Sequence, residues 1–342
     1  MGTRIAPAWF VVVLCALVLS GGSCTRRSTI PGALGDGEFW KLIEELSEPA
    51  GEFTLSDNVV SNEPHFVETA RWLRPGGGVY IGVGPEQNFS YIVPLRPAIA
   101  FIIDIRRENL DLHLLYKALF ELSSDRADFV SRLFSRPRPQ GLRSSASVDD
   151  IFAAFDNVPA APELYGQTSK LVRGRLLEAH GFPLTQTDLD WIDRSLAVFY
   201  ANGPKIDYYG ERAADVVRPS YRQLMTAKDL TGRHRSFLAT DTGFQFVKEL
   251  HSKNRIVPVV GDFAGPAAFR RVGDYVRSHK DRIRAVYGSN VGVYLTNQQS
   301  QMFCRNLATL PVSSIAWFID SRGMRRFEAK LQACAAGKSE SQ

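Results

Sequence analysis

Gly76-Gly-Gly-Val-Tyr-Ile-Gly-Val-Gly-Pro-Glu-Gln-Asn88 constrains this chain more than any other stretch. A short β-type run, Val79-Tyr80-Ile81, passes straight into Gly82-x-Gly84. About twenty residues further on, a second apolar run closes on Asp104. That order describes the first β-turn-α-β unit of a nucleotide-binding sheet. Glycine lets a backbone turn sharply and approach a ligand. An acid at the tip of the next strand accepts hydrogen bonds from ribose hydroxyls. A plainer reading stands beside this one. Any tight strand-to-helix turn favours glycine, and Asp104 can simply cap a helix or face solvent.

The strand pattern returns at residues 255–262, 283–287 and 312–320, the last ending on Asp320. Helical spacing is read over 38–46, 65–73, 108–122, 265–279 and 302–310, with a helix or turn across 87–94. Residues 123–250 carry no comparable strand signal; helical segments are read near 148–155, 171–180 and 189–200, with a Pro/Arg loop at 135–143. The expected fold is therefore α/β, a doubly wound and mostly parallel sheet with a mainly helical insertion that can serve as a lid. The expected divisions are a signal peptide at 1–24, a linker and helix at 25–54, the two halves of the sheet domain at 55–122 and 251–334, the insertion between them at 123–250, and a polar tail at 335–342. Ligands in such sheets bind beyond the carboxyl ends of the strands. Asp104, Asp262, Asn290 and Asp320 all fall at such ends.

The amino terminus reads as an export signal. Arg4 precedes an apolar run over 9–19, and the small residues Ser20-Gly-Gly-Ser23 follow. That run is short for ~30 Å of hydrocarbon and suits a cleaved segment better. Cys24 then stands where a bacterial lipoprotein carries its lipid, although Gly21 replaces the usual leucine. Lipid anchoring at Cys24, plain secretion and a retained short anchor all remain open at this point, as does a misplaced start codon in front of a cytosolic protein. Of the other cysteines, Cys15 lies within the signal, and Cys304 and Cys334 would pair only in an oxidising compartment.

Composition narrows the partners. The 342 residues carry a net charge of +5, and no dense Lys/Arg run is interleaved with aromatics, so nucleic acid is not expected. Arg132, Arg136 and Arg138 read as a solvated loop rather than a phosphate site. The six histidines are scattered and no CxxC or HExxH spacing occurs, so no metal is expected.

Together, Val79-Tyr-Ile-Gly-Val-Gly84, Val259-Val-Gly-Asp-Phe-Ala-Gly-Pro266 and Ser289-Asn-Val291 resemble segments of uncharacterised bacterial proteins with an S-adenosylmethionine-dependent methyltransferase-like fold. The resemblance spans roughly residues 55–320 and implies a Rossmann-type sheet. It implies that Gly82 and Gly84 contact the methionine part of S-adenosylmethionine, that Asp104 holds the ribose, that Asp262 meets the adenine, and that Asn290 or Ser289 faces the methyl group. Tyr80 stands where that family usually has an acid, and Glu86 where it has a third glycine.

Gln87 and Asn88 can donate to a carboxylate or phosphate at a helix start, or merely satisfy the loop. Ser61-Asn-Glu63 reads as a capped turn or as a flap over the site, and Asp207-Tyr-Tyr209 as an aromatic cluster or a ligand cover. Glu63 and Glu86 are candidate proton acceptors. The leading expectation is a small nucleoside-type ligand with S-adenosylmethionine as cofactor. The alternative is an exported, non-catalytic scaffold that keeps the fold for protein contacts. Export favours the second, since S-adenosylmethionine is a cytosolic metabolite.

Overall fold

The computed structural model describes residues 1–3, 28–53, 58–207 and 218–337. The expected signal segment with Cys15 and Cys24, and the pair Tyr208-Tyr209, lie outside the described residues.

The chain opens with α1 (Asp36–Leu46) and α2 (Phe66–Trp72), then β1 (Val79–Gly82), α3 (Gln87–Leu95), β2 (Ile99–Asp104) and α4 (Arg107–Leu122). Six helices follow: α5 (Arg126–Phe134), α6 (Val148–Phe155), α7 (Pro162–Arg173), α8 (Gln186–Asn202), α9 (Tyr221–Met225) and α10 (Asp241–Ser252). The second half runs β3 (Ile256–Val260), α11 (Ala268–Ser278), β4 (Ile283–Tyr287), α12 (Val291–Tyr294), α13 (Asn297–Ala308), β5 (Val312–Asp320), β6 (Gly323–Arg326) and α14 (Phe327–Ala335).

The strands form one six-stranded sheet in the order β3-β2-β1-β4-β5-β6. All neighbours are parallel except β5 and β6. β1, β2 and β3 are buried along their whole length, as strands covered on both faces must be. That is why they read as unbroken apolar runs rather than alternating ones. β3 is an edge strand and tolerates Pro258, which has no N–H to give to a ladder. Helix contacts fall into two sets, α1 with α11 and α13 with α14 in one, α3 and α4 with α10 and α8 in the other. Two helical layers flanking a sheet require such a division.

Four expectations change. The sheet does not end at Asp320. Gly323, at φ 138°, reverses the chain into β6, whose Met-Arg-Arg sequence gives no apolar signal. α5 and α10 were not read from the sequence, and the segment read near 171–180 is the end of α7 continuing into one π-helical stretch, Gly174–Ala179. The helices between β2 and β3 are also not a detached cover. Phe120 of α4 packs on Phe129, Phe237 and Phe244 with ring centroids 4.7, 5.7 and 5.2 Å apart, so they extend one aromatic core outward from the sheet. Nor is the Pro/Arg region simply solvated. Arg136 donates to the Phe134 carbonyl and its guanidinium lies against Gly203, while Arg138 pairs with Asp125 at 2.9 Å.

Cys304 of α13 and Cys334 of α14 form a disulfide. It fixes a helix pair beside the edge hairpin. Replacing both cysteines by serine is expected to cost about 3 kcal/mol, read as a lower urea midpoint. An unchanged midpoint rejects a stabilising bridge.

Candidate functional site

β1 delivers its chain to the turn at Gly82, and α3 starts five residues later. The two glycines of that turn do different work. At Gly82 an added Cβ would fall 1.8 Å from Asn88 Oδ1 and 2.8 Å from the Tyr80 hydroxyl. The space belongs to the chain's own side chains. Asn88 Nδ2 donates to the carbonyls of Val83, Gly84 and Pro85 at 2.9, 3.1 and 2.7 Å, and its Oδ1 accepts from the Tyr80 hydroxyl at 2.9 Å. Asn88 is fully buried and its bonding capacity is used up inside the turn. Gly84 is the opposite case. It sits at φ 73°, where a side chain is strained, and no atom lies within 4 Å of where a Cβ would be. Its carbonyl also meets Nε2 of His113, from α4, at 2.9 Å. Burial pushes His113 down to about 4, so the ring is neutral and must carry its proton on Nε2 to donate there.

Gly84 opens onto a cavity of about 350 Å³ at the carboxyl edge of the sheet. Its size falls within the range of small-molecule sites. Asp104, Asp262 and Asn290 also line it, from the ends of three different strands. Gly82, Gln87 and Asn88 do not line it; they form the layer behind the wall. No residue of 107–250 lines it among the described residues, so the expected lid does not reach the site. Ser61, Asn62 and Glu63 do line it.

Asp104, Asp262 and Asn290 each have a partner of their own. Asp104 Oδ1 accepts from the backbone N and Nε of Arg106 at 3.0 and 3.1 Å, and Oδ2 from Nη2 at 3.2 Å. Asp262 Oδ1 caps its own turn by accepting from Ala264 N at 2.8 Å. Asn290 Nδ2 donates to the Tyr294 hydroxyl at 3.2 Å, and the Tyr294 ring meets Phe53 edge-on at 5.0 Å across the rim.

Glu63 differs from these. Ser289 Oγ donates to its Oε1, and Gln87 Nε2 donates to its Oε2 at 3.1 Å and touches the Tyr91 and Tyr287 hydroxyls at 3.3 and 3.2 Å. All of these donors are neutral. Burial pushes the Glu63 carboxyl up, and the nearby Asp320 charge adds to the rise, against the hydrogen bonds from Ser289, Tyr287 and Gln87. A buried carboxylate that borders a cavity without a cation beside it is suited to hold a proton or to meet a cationic ligand. Glu86 does not line the cavity. Both its oxygens accept from Ser61 N at 3.2 Å, and burial pushes it up to about 7. It ties the segment carrying Glu63 to the start of α3.

The lining thus holds Glu52, Glu63, Asp104 and Asp262 against the single cation Arg106, among the described residues. Arg106, Tyr287 and His113 were missed from sequence. Arg106 alone had a signal, its place two residues after the strand-tip acid. Among the described residues no group of three His, Cys, Asp or Glu side chains could hold a metal ion.

No curated protein matches the chain. A family pattern described as a domain of unknown function, DUF7790, matches residues 58–180 and 189–336. The match runs through the sheet, the turn at Gly84 and the helices between β2 and β3, so it treats them as parts of one domain. Covering most of the sequence, it establishes that this chain belongs to the DUF7790 family.

Proposed function

We propose that the cavity binds S-adenosylmethionine or a closely related nucleoside, as a methyltransferase-like Rossmann domain does. The observation that carries this reading is the convergence of Gly84, Asp104, Asp262 and Asn290 on one cavity at the ends of parallel strands. The lining, with four acids against one cation, supports a cationic ligand over a nucleotide rich in phosphate. The bare face of Gly84 offers backbone for close approach. When bound, S-adenosylmethionine supplies an electrophilic methyl group on a sulfonium. Asp104 exchanges part of its pairing with Arg106 for ribose hydroxyls. Asp262 keeps one oxygen on its own turn and turns the other to the base. Glu63 takes the proton released by an acceptor, its carboxylate held in place by Ser289 and Gln87.

Calorimetric titration with S-adenosylmethionine and with its demethylated product tests this. Micromolar binding that weakens at least tenfold in Asp104→Asn is the expected result, since a ribose hydroxyl bonded to a carboxylate contributes roughly 1.5–3 kcal/mol. No heat at millimolar ligand rejects the reading.

Two features support a second reading, an exported scaffold that keeps the fold without the chemistry. Arg106 already satisfies both oxygens of Asp104, and the Cys304–Cys334 bridge suits an oxidising compartment where the methyl donor is scarce. Under it, Asp104→Asn changes stability and binds nothing less.

A further inference from the structure

We propose that the edge of the sheet opposite the cavity is a docking face for a membrane surface carrying anionic phospholipid headgroups. All the parallel strands begin at this edge. The backbone ties their approaches together: Val79 N donates to Arg282 O, Ala98 N to Gly78 O, Ala100 N to Arg255 O and Ile283 N to Pro311 O, at 2.7 to 3.0 Å. The loops so joined are rich in cations. Lys253 and Arg277 have carboxylate partners in Glu249 and Asp274. Arg74, Arg96, Lys280, Arg282 and Arg284 have no carboxylate within 4 Å among the described residues. Asp281, the acid in their midst, already accepts from Ser28 Oγ at 2.6 Å and from Arg282 N at 2.6 Å. The cavity edge is acidic, so the molecule is polarised along its strands.

Two further observations select a membrane. Trp72 is 56% exposed at the end of α2, two residues from Arg74 and stacked on Arg71 at 5.1 Å. A half-exposed indole among cations suits the headgroup layer, where one face is apolar and the other wet. The chain also enters the fold at this edge. Thr29 N donates to His279 O at 2.9 Å, and Leu34 N to Lys253 O at 3.1 Å. Only eight residues lie between Leu19, the end of the apolar run in the sequence, and Ser28. A chain of that length reaches ~30 Å at most, so a membrane holding that run lies within reach of this face. The cavity then opens away from the bilayer.

The test uses the full chain and its partition onto phosphatidylcholine vesicles with and without phosphatidylglycerol. A triple variant, Arg74→Gln, Lys280→Gln and Arg282→Gln, is expected to lose about 100-fold in partition onto the anionic vesicles and nothing on the neutral ones, at about fivefold per cation. The wild-type preference falls with added salt. A control removes the same charge elsewhere through Lys41→Gln, Lys170→Gln and Arg305→Gln. Equal loss in the control overturns the proposal, because net charge rather than a face would then explain it. So does an unchanged triple variant, or tighter binding to duplex DNA than to the anionic vesicles at equal salt.

Discussion

Asp111→Asn is expected to leave stability unchanged near about pH 4 and to raise it by about 4 kcal/mol at about pH 8. Asp111 is fully buried on α4, and its carboxyl accepts no hydrogen bond but can give its proton to Asp188. Arg107 lies 3.8 Å away but gives its close contact, 2.9 Å, to Asp188 of α8. Thr185 donates to Asp188 as well, through its backbone N and hydroxyl at 2.8 Å, so Asp188 holds the negative charge and its pKa is lowered. Burial and that adjacent charge push Asp111 up to about 8, against the pull of Arg107. The folded chain therefore keeps a proton that the unfolded chain releases near pH 4. Its stabilising contribution is complete below the unfolded value and is lost as pH rises through about 8. Asparagine has the shape of the protonated acid and cannot ionise. The measurement is the difference between variant and wild-type urea midpoints across this range, with a gain of roughly 6 °C in Tm at the alkaline end. A difference that does not vary with pH rejects a buried neutral Asp111.

Asn88→Ala is expected to destabilise the fold by about 4–5 kcal/mol, near the upper end for one substitution. The amide serves three carbonyls and one hydroxyl around the Gly84 turn, with the Val83 carbonyl and the Tyr80 hydroxyl in buried bonds. Its removal takes that bond from the Val83 and Pro85 carbonyls and the Tyr80 hydroxyl, leaves Gly84 to His113 alone, and opens a void next to Gly82. Asn88→Asp separates the two causes. It preserves the shape but points a carboxylate at three carbonyl oxygens, so it is expected to cost at least as much as alanine. If aspartate is tolerated, packing rather than hydrogen bonding holds the turn. Either variant should also weaken any ligand at Gly84, because the turn sets the φ of that residue.

What the sequence made legible follows from how local each signal is. The buried parallel strands announce themselves as apolar runs, and Gly84, Asp104, Asp262 and Asn290 could be placed because they sit directly after such runs. Asn88 was legible as a polar residue at a helix start, but the direction in which its amide points depends on Gly82 being bare. His113 and Tyr287 reach the site from the buried faces of α4 and β4, where a polar residue looks like any other member of an apolar stretch. Their roles arise from contacts across 29 and 200 residues of sequence, which no local pattern records. β6 was missed because a strand held by Arg325 pairing with Asp320, and by Arg326 stacked on Trp317 at 4.1 Å, needs no apolar alternation.

That outermost hairpin, taken with Pro258 at the far side, decides how the sheet meets other copies of itself. An exposed strand margin is a template onto which a foreign strand can zip, the first step toward cross-β aggregates. One margin here presents arginines whose burial against a newcomer would strand their charge, and the other presents a proline that breaks the row of donors. Growth by strand addition is therefore disfavoured at both ends of the sheet.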